Sequence, residues 1–285
     1  MKEALFLPKT RSLSVIALLL LFFTGWVACP GRAATEDSDF LGNVSEFGKE
    51  CLADTKNILL SPRDWGRAEW AKAALAAGVT LILYQSDQEI RDSWQQNRDD
   101  FGDDFFRLIG KTGHVGYLAP ALGLWYLYAG RSGNSRAREA ALAGLESVLI
   151  AGGLTTVVKL SFRRSRPYTE AGPDSFDGPG LAWDDDRLSF CSLHSAAVFA
   201  AATAVAEYYQ DQPGTSVVVY SVASLAALSR INDDQHWSSD VFCGAVLGHY
   251  LAKLVVARRK GRDEASSIAP LITDDGITLV WRYRF

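Results

Sequence analysis

The chain has 285 residues, 48% of them hydrophobic and 22% charged, a balance that fits a folded globular protein and excludes a disordered tail. Lys plus Arg number 29 against 33 Asp plus Glu, a net charge of −4 with pI ≈ 5.6, so the basic footprint of a nucleic-acid binder is absent. Four Cys without paired C-x-x-C spacing exclude a zinc ribbon or a disulfide framework.

Residues 1–33 read as an export signal. Lys2, Lys9 and Arg11 precede a stretch from Ser12 to Gly31 that carries no formal charge. Gly31-Arg32-Ala33 offers small residues for ordinary cleavage; Val27-Ala28-Cys29 resembles a lipoprotein signal with Cys29 as the lipid-bearing residue. Residues 34–66 are polar with scattered apolar positions and predict an irregular surface arm. Six Ala- and Leu-rich stretches follow, near 68–85, 114–130, 138–160, 194–209, 216–229 and 239–258, and their length and composition predict helices. Together they predict an all-α fold, a six-helix bundle over 67–260. Most charge-free runs within it are too short for the ~20 residues of a membrane span, which favours a soluble or peripheral bundle over an integral one. Between the third and fourth helices lies a long loop, 165–190, containing Pro167, Pro173, Pro179 and the run Asp184-Asp185-Asp186. The tail, 261–285, ends in nine alternating residues, with Ile277, Leu279, Trp281, Tyr283 and Phe285 on one side, and predicts a strand.

Three short motifs flank the predicted helix ends. They are Lys159-LSFRRS-Arg166-Pro167, Cys191-Ser192-Leu193-His194 and Ser229-Arg230-INDDQ-His236-WSS-Asp240. Lys159, Arg166 and Arg230 supply three cations, and an arginine fork suits a phosphate. Ser192 opens a helix, where free amides and the helix dipole favour an anion. His236 and Asp240 are four apart, so on a helical turn the carboxylate accepts from one ring nitrogen and leaves the other bare as a nucleophile. His194 remains as an acid for the leaving oxygen. Taken singly, each has a plainer reading: a solvated helix end, a cap, a packed histidine, a surface pair. Their joint occurrence carries the catalytic reading.

The three motifs resemble the signature of the type 2 phosphatidic acid phosphatase superfamily, K-x6-R-P, P-S-G-H and S-R-x5-H-x3-D, shared with the vanadium haloperoxidases. The first and third match at every fixed position; in the second, Cys191 replaces Pro and Leu193 replaces Gly. The resemblance implies a helical bundle of that type and hydrolysis without a metal or other cofactor. His236 would attack phosphorus, Asp240 would orient it, and His194 would protonate the leaving group. Lys159, Arg166, Ser192, Arg230 and the amide of Leu193 would hold the phosphoryl oxygens. The partner it implies is a phosphorylated lipid or a small phosphate ester, met at a membrane surface of the periplasm or cell envelope. A branched Leu193 is expected to crowd the site. The alternatives are a vanadate-dependent haloperoxidase and a catalytically weak lipid-binding envelope protein.

Several residues stand outside the signature. Arg163 and Arg164 read as a positive rim or as solvated residues. His114 reads as a loop residue and His249 as a helix-packing residue. Cys191 and Cys243 flank the motifs and read either as a disulfide or as two small buried thiols.

Overall fold

The computed structural model describes residues 40–265, 268–273 and 276–281. The export signal and Cys29 lie outside the described residues. Eight α-helices occur among those described: α1 Phe40–Leu60, α2 Arg67–Gln96, α3 Asp100–Gly110, α4 Val115–Arg131, α5 Ser135–Phe162, α6 Leu193–Tyr208, α7 Pro213–Asn232 and α8 Ser238–Ala265. The six predicted helices are α2 and α4 to α8. The segment read as an irregular arm instead forms α1. Phe40, Val44, Phe47, Cys51 and Ile58 recur at helical spacing along it, a periodicity that the many polar residues between them concealed. The short α3 also escaped the sequence reading. It is capped by Asp99, which accepts from the Gly102 amide at 2.7 Å.

Helix α6 is the axis of the bundle, packed against α5, α7 and α8. It is apolar all round, and Ala196, Ala197, Ala200, Ala201 and Ala204 are buried. Small residues let the backbones approach closely. A Cβ on Gly248 would lie 2.0 Å from the Ala196 carbonyl oxygen, and one on Gly244 would lie 2.4 Å from that of Ser192. Helix α8 therefore seats directly on the start of α6. Trp125, Leu122 and Leu118 of α4 complete the apolar core with Val148 and Ala151 of α5.

Helices α5, α7 and most of α8 are long and apolar enough to cross a membrane by length and composition. Counting charge-free runs concealed this. The α5 run is interrupted by Glu146, which is fully buried and paired with Arg259 at 2.9 Å instead of facing outward. The carboxyl end of the chain forms an antiparallel hairpin, β1 Ile268–Thr273 and β2 Gly276–Trp281, with Ile268 opposite Trp281. The alternation predicted from residue 277 falls in β2 as far as Trp281; the last four residues lie outside the described ones.

Candidate active site

The ends of α5 and α7 and the starts of α6 and α8 meet at one end of the bundle. Helix α5 stops at Arg163, which takes a left-handed conformation (φ 47°) and turns the chain across the bundle end. Residues 164–166 then run between two parts of the long loop. Ser165 N–H donates to Ser175 O, Arg166 N–H to Asp186 O, and Ser189 N–H to Arg164 O. The loop is thus pinned by backbone bonds on both sides. A second turn joins α7 to α8. Asp234 sits there in the left-handed region (φ 55°), and Arg91 of α2 grips its carboxylate with two bonds of 2.6 and 2.7 Å. The amides of Gln235 and His236 both donate back to the Arg230 carbonyl, which fixes the imidazole of His236 over the bundle end.

Arg166 and His236 approach most directly, with Nη1 of Arg166 3.4 Å from Nε2 of His236. The guanidinium is also held by the carbonyl and carboxylate of Asp185, at 2.8 and 2.7 Å, and by Gln235. Lys159 is buried; its ammonium donates to the carbonyls of Leu188 and Ser189. Arg230 pairs with Asp233 at 3.1 Å. Ser192 caps α6, accepting from the Ser195 amide at 3.3 Å, while its own amide donates to the Asp240 carbonyl at 3.0 Å. The side chain of Leu193 turns towards α5, where a Cβ on Gly152 would meet its Cδ1 at 3.6 Å.

His194 is wedged against the end of α3 and the turn that follows. A Cβ on Gly113 would stand 2.2 Å from its Nε2, so only glycine fits there. Burial, and then the Arg230 guanidinium, push the His194 imidazole down to about 3. The His236 imidazole is likewise held well below the ordinary histidine range, first by burial and then by Lys159, Arg166 and Arg230. Both rings are therefore neutral at pH 7.

The pairing of His236 with Asp240 differs from the expectation. Nδ1 of His236 is 3.7 Å from Oδ2 of Asp240, too long for a hydrogen bond. Ser189 lies beside both. Its hydroxyl donates to Asp240 Oδ2 at 2.5 Å and is 3.4 Å from Nδ1 of His236. Asp240 also accepts from the Trp237 amide at 3.1 Å and from Arg164 at 2.7 Å. Sequence reasoning missed Ser189, which stands in no motif.

The reading of Arg164 as rim or solvated is overturned: the side chain is completely buried and paired with both Asp240 and Asp87. Arg163, beside it, is half-buried and reaches Asp177 at 3.7 Å. His114 lies in the connection before α4, as expected, and caps that helix, accepting from the Gly116 amide at 3.1 Å. His249 packs between helices, with Thr203 at 2.9 Å and Tyr220 at 3.1 Å from its Nδ1. Cys51, Cys191 and Cys243 are free thiols, and Cys191 and Cys243 are hydrogen-bonded to each other. The acidic loop run is spent separately: Asp185 on Arg166, Asp186 on Tyr168 and Asp184 on a backbone amide. Among the described residues no three His, Cys, Asp or Glu side chains are grouped to hold a metal ion.

At these helix ends Lys159, Arg166 and Arg230 all act on the buried His236 ring, with Arg166 nearest. The family model of the PAP2 superfamily matches residues 140–263. A lipid A 1-phosphatase of Porphyromonas gingivalis is 38% identical over 104 residues, which is 36% of this chain and 20% of the relative. The aligned part is thus a fifth of that relative's length. Two solved structures resemble part of this chain. One is LpxE of Aquifex aeolicus, with a TM-score of 0.49 and 20% identity, covering 60% of this chain and 94% of that one. The other is a transmembrane PAP2-type phosphatidylglycerolphosphate phosphatase of Bacillus subtilis, with a TM-score of 0.49 and 19% identity, covering 67% and 95%.

Proposed function

We propose that the chain is a lipid phosphate phosphatase that hydrolyses a phosphate monoester or pyrophosphate through a phosphohistidine on His236, without a metal. The observation that carries this reading is the orientation of the His236 ring: Nε2 faces the Arg166 guanidinium, while Nδ1 faces Ser189 and the Asp240 carboxylate. A bare nitrogen beside a phosphate-gripping cation is placed for in-line attack. In the first step the Nε2–P bond forms and the bond from phosphorus to the leaving oxygen breaks. His194 supplies the proton that oxygen needs. Burial holds the ring at about 3; a phosphate monoanion brings one proton, which His194 takes up beside the resulting dianion, whose charge favours the imidazolium. Lys159, Arg166, Arg230, Ser192 and the amide of Leu193 stabilise the charge gathering on the equatorial oxygens. Water then attacks phosphorus, the P–N bond breaks, and His194 takes the water's proton.

The lipid part of the reading is supported by the three helices of membrane-spanning length, α5, α7 and α8. Two of them end, and the third begins, at the level of His236, so the site lies where a headgroup phosphate meets water. The candidate substrates are phosphatidate, phosphatidylglycerophosphate, polyprenyl pyrophosphate and lipid A phosphates, the last supported by the lipid A 1-phosphatase relative. Export to the periplasm or envelope, with anchoring through the amino-terminal segment or lipidation at Cys29, belongs to the same proposal. The test is phosphate release from a panel of these lipids in detergent with EDTA present. Release that persists in EDTA and is inhibited by vanadate is expected. Chelator-sensitive release, or halide oxidation dependent on added vanadate, would overturn the reading.

A further inference from the structure

Asp87 belongs to α2, 77 positions before Arg164 and outside the stretch matched by the family model. Its carboxylate is 1% exposed, and four donors converge on it. They are Nη2 of Arg164 at 2.7 Å, the Ser238 hydroxyl at 2.6 Å, and the amide and hydroxyl of Ser239 at 2.9 and 2.5 Å. Arg164 spends its remaining donors on Pro173 O at 2.9 Å, the Ser239 hydroxyl at 2.8 Å and Asp240 Oδ1 at 2.7 Å. Its guanidinium lies among the rings of Tyr84, Phe176 and Trp237, with centroids 4.9, 5.4 and 5.3 Å away. A charge enclosed this way cannot rotate to seek another partner.

We infer that the buried pair Arg164–Asp87 positions Asp240, and through it the ring of His236, for attack on phosphorus. The inference rests on the reading of His236 as the nucleophile. Arg164 fixes Oδ1 of Asp240, and the Trp237 amide and Ser189 fix Oδ2. Both carboxylate oxygens are then tied, and the face turned to Nδ1 of His236 is set. Asp87 in turn fixes Arg164 and the first residues of α8, the helix that carries Asp240. The carboxylate of Asp240 acts at 3.7 Å from the ring, where a small rotation changes which ring nitrogen carries the proton. Orientation, more than proximity, is what the pair supplies.

The test uses the full chain in detergent, with Arg164→Gln, Arg164→Lys, Asp87→Asn and the double variant Arg164→Gln/Asp87→Asn, each checked for helical content by circular dichroism. For Arg164→Gln, kcat is expected to fall on the order of 100-fold with KM within about twofold, and for Asp87→Asn on the order of 10-fold. Arg164→Lys recovers part of the loss, because the charge is kept. The double variant matches Arg164→Gln alone within about twofold, because Asp87 acts through Arg164. Nitrogen NMR of ¹⁵N-histidine-labelled protein gives a readout that needs no turnover. His236 is expected as the Nδ1–H tautomer in the wild type and as a mixture in Arg164→Gln and Asp87→Asn. Where Arg164→Gln does not fold, Arg164→Lys and Asp87→Asn decide. An unchanged tautomer, a loss confined to KM, or losses that multiply in the double variant would each overturn the inference. Absence of phosphate release from the wild type would instead overturn the phosphatase reading, and the tautomer would still decide the role of the pair.

Discussion

The bundle holds two buried charged networks, one at each end, and they are built differently. At the end where His236 lies, Arg164 is held by Asp87 and Asp240, Arg166 and Arg230 each by one more exposed carboxylate, Asp185 and Asp233, and Lys159 by the carbonyls of Leu188 and Ser189. Towards the other end, Arg259 and Arg262 are ringed by Glu50, Asp54, Glu139 and Glu146, carried by α1 and α5. The second network satisfies its cations from within the chain and ties α1, α5 and α8 together. The first holds Lys159 by carbonyls and turns Arg166 towards a buried histidine, an arrangement that an incoming anion would stabilise. Burial of charge by itself does not separate the two ends; the histidine that Lys159, Arg166 and Arg230 act on does.

The sharpest way to break the comparison is to disturb each network and read both stability and turnover. Arg259→Met strands Glu146, and we expect a loss of about 3–5 kcal/mol in unfolding free energy, with kcat per folded molecule unchanged. A fall in kcat without destabilisation would erase the distinction between the two ends. Gly113→Ala makes the converse test. Its Cβ would stand 2.2 Å from Nε2 of His194, so the ring must move and kcat is expected to fall about 10- to 100-fold while the unfolding midpoint changes little.

A smaller effect should appear in the pH dependence of stability. The folded chain holds His194 down at about 3, whereas an unfolded histidine titrates near 6.5. The sign follows: this contribution is fully present above about 6.5 and is lost progressively as pH falls towards the folded value, because the unfolded chain gains a proton that the folded one refuses. His236, also held low, adds in the same direction. Thermal midpoints should therefore fall between about pH 7 and about pH 4, and His194→Asn should flatten that slope. A slope unchanged by the substitution would mean the ring is not held neutral.

The smallest expected effect concerns Leu193. The sequence led us to expect crowding of the site, yet the side chain lies towards Gly152 of α5. Leu193→Gly should then change kcat by no more than about threefold, since the backbone amide is retained. A rise of about tenfold or more in steady-state turnover would restore the crowding view.

How much was legible in the sequence follows from how each residue is placed. Lys159, Arg166, Arg230, His236 and Asp240 could be named because they occur together in motifs that resemble a known family signature; singly, none stands out. The long apolar helices were equally readable, as their composition leaves no other element. Asp87 was not, because its neighbours in α2 are ordinary helix residues and its partners lie near 164 and 239. Arg164 was misread because three arginines occur between 163 and 166. Only the left-handed turn at Arg163 decides that Arg164 points into the interior. Ser189 was hidden by the loop, whose backbone pairing with Arg164 has no local signature. Helix α1 escaped because its apolar positions are interleaved with polar ones, among them Asp54, which is buried against Arg262 at 2.9 Å.

The most direct measurement is to capture the covalent intermediate. Wild-type protein is mixed with a ³²P-labelled lipid phosphate, quenched in alkali within milliseconds and digested, and the labelled peptide is sequenced by mass spectrometry. The account predicts an acid-labile, alkali-stable label on His236, absent from His236→Ala, which should also lose at least ~1,000-fold in phosphate release. Label on another residue, or turnover that survives His236→Ala, would contradict it.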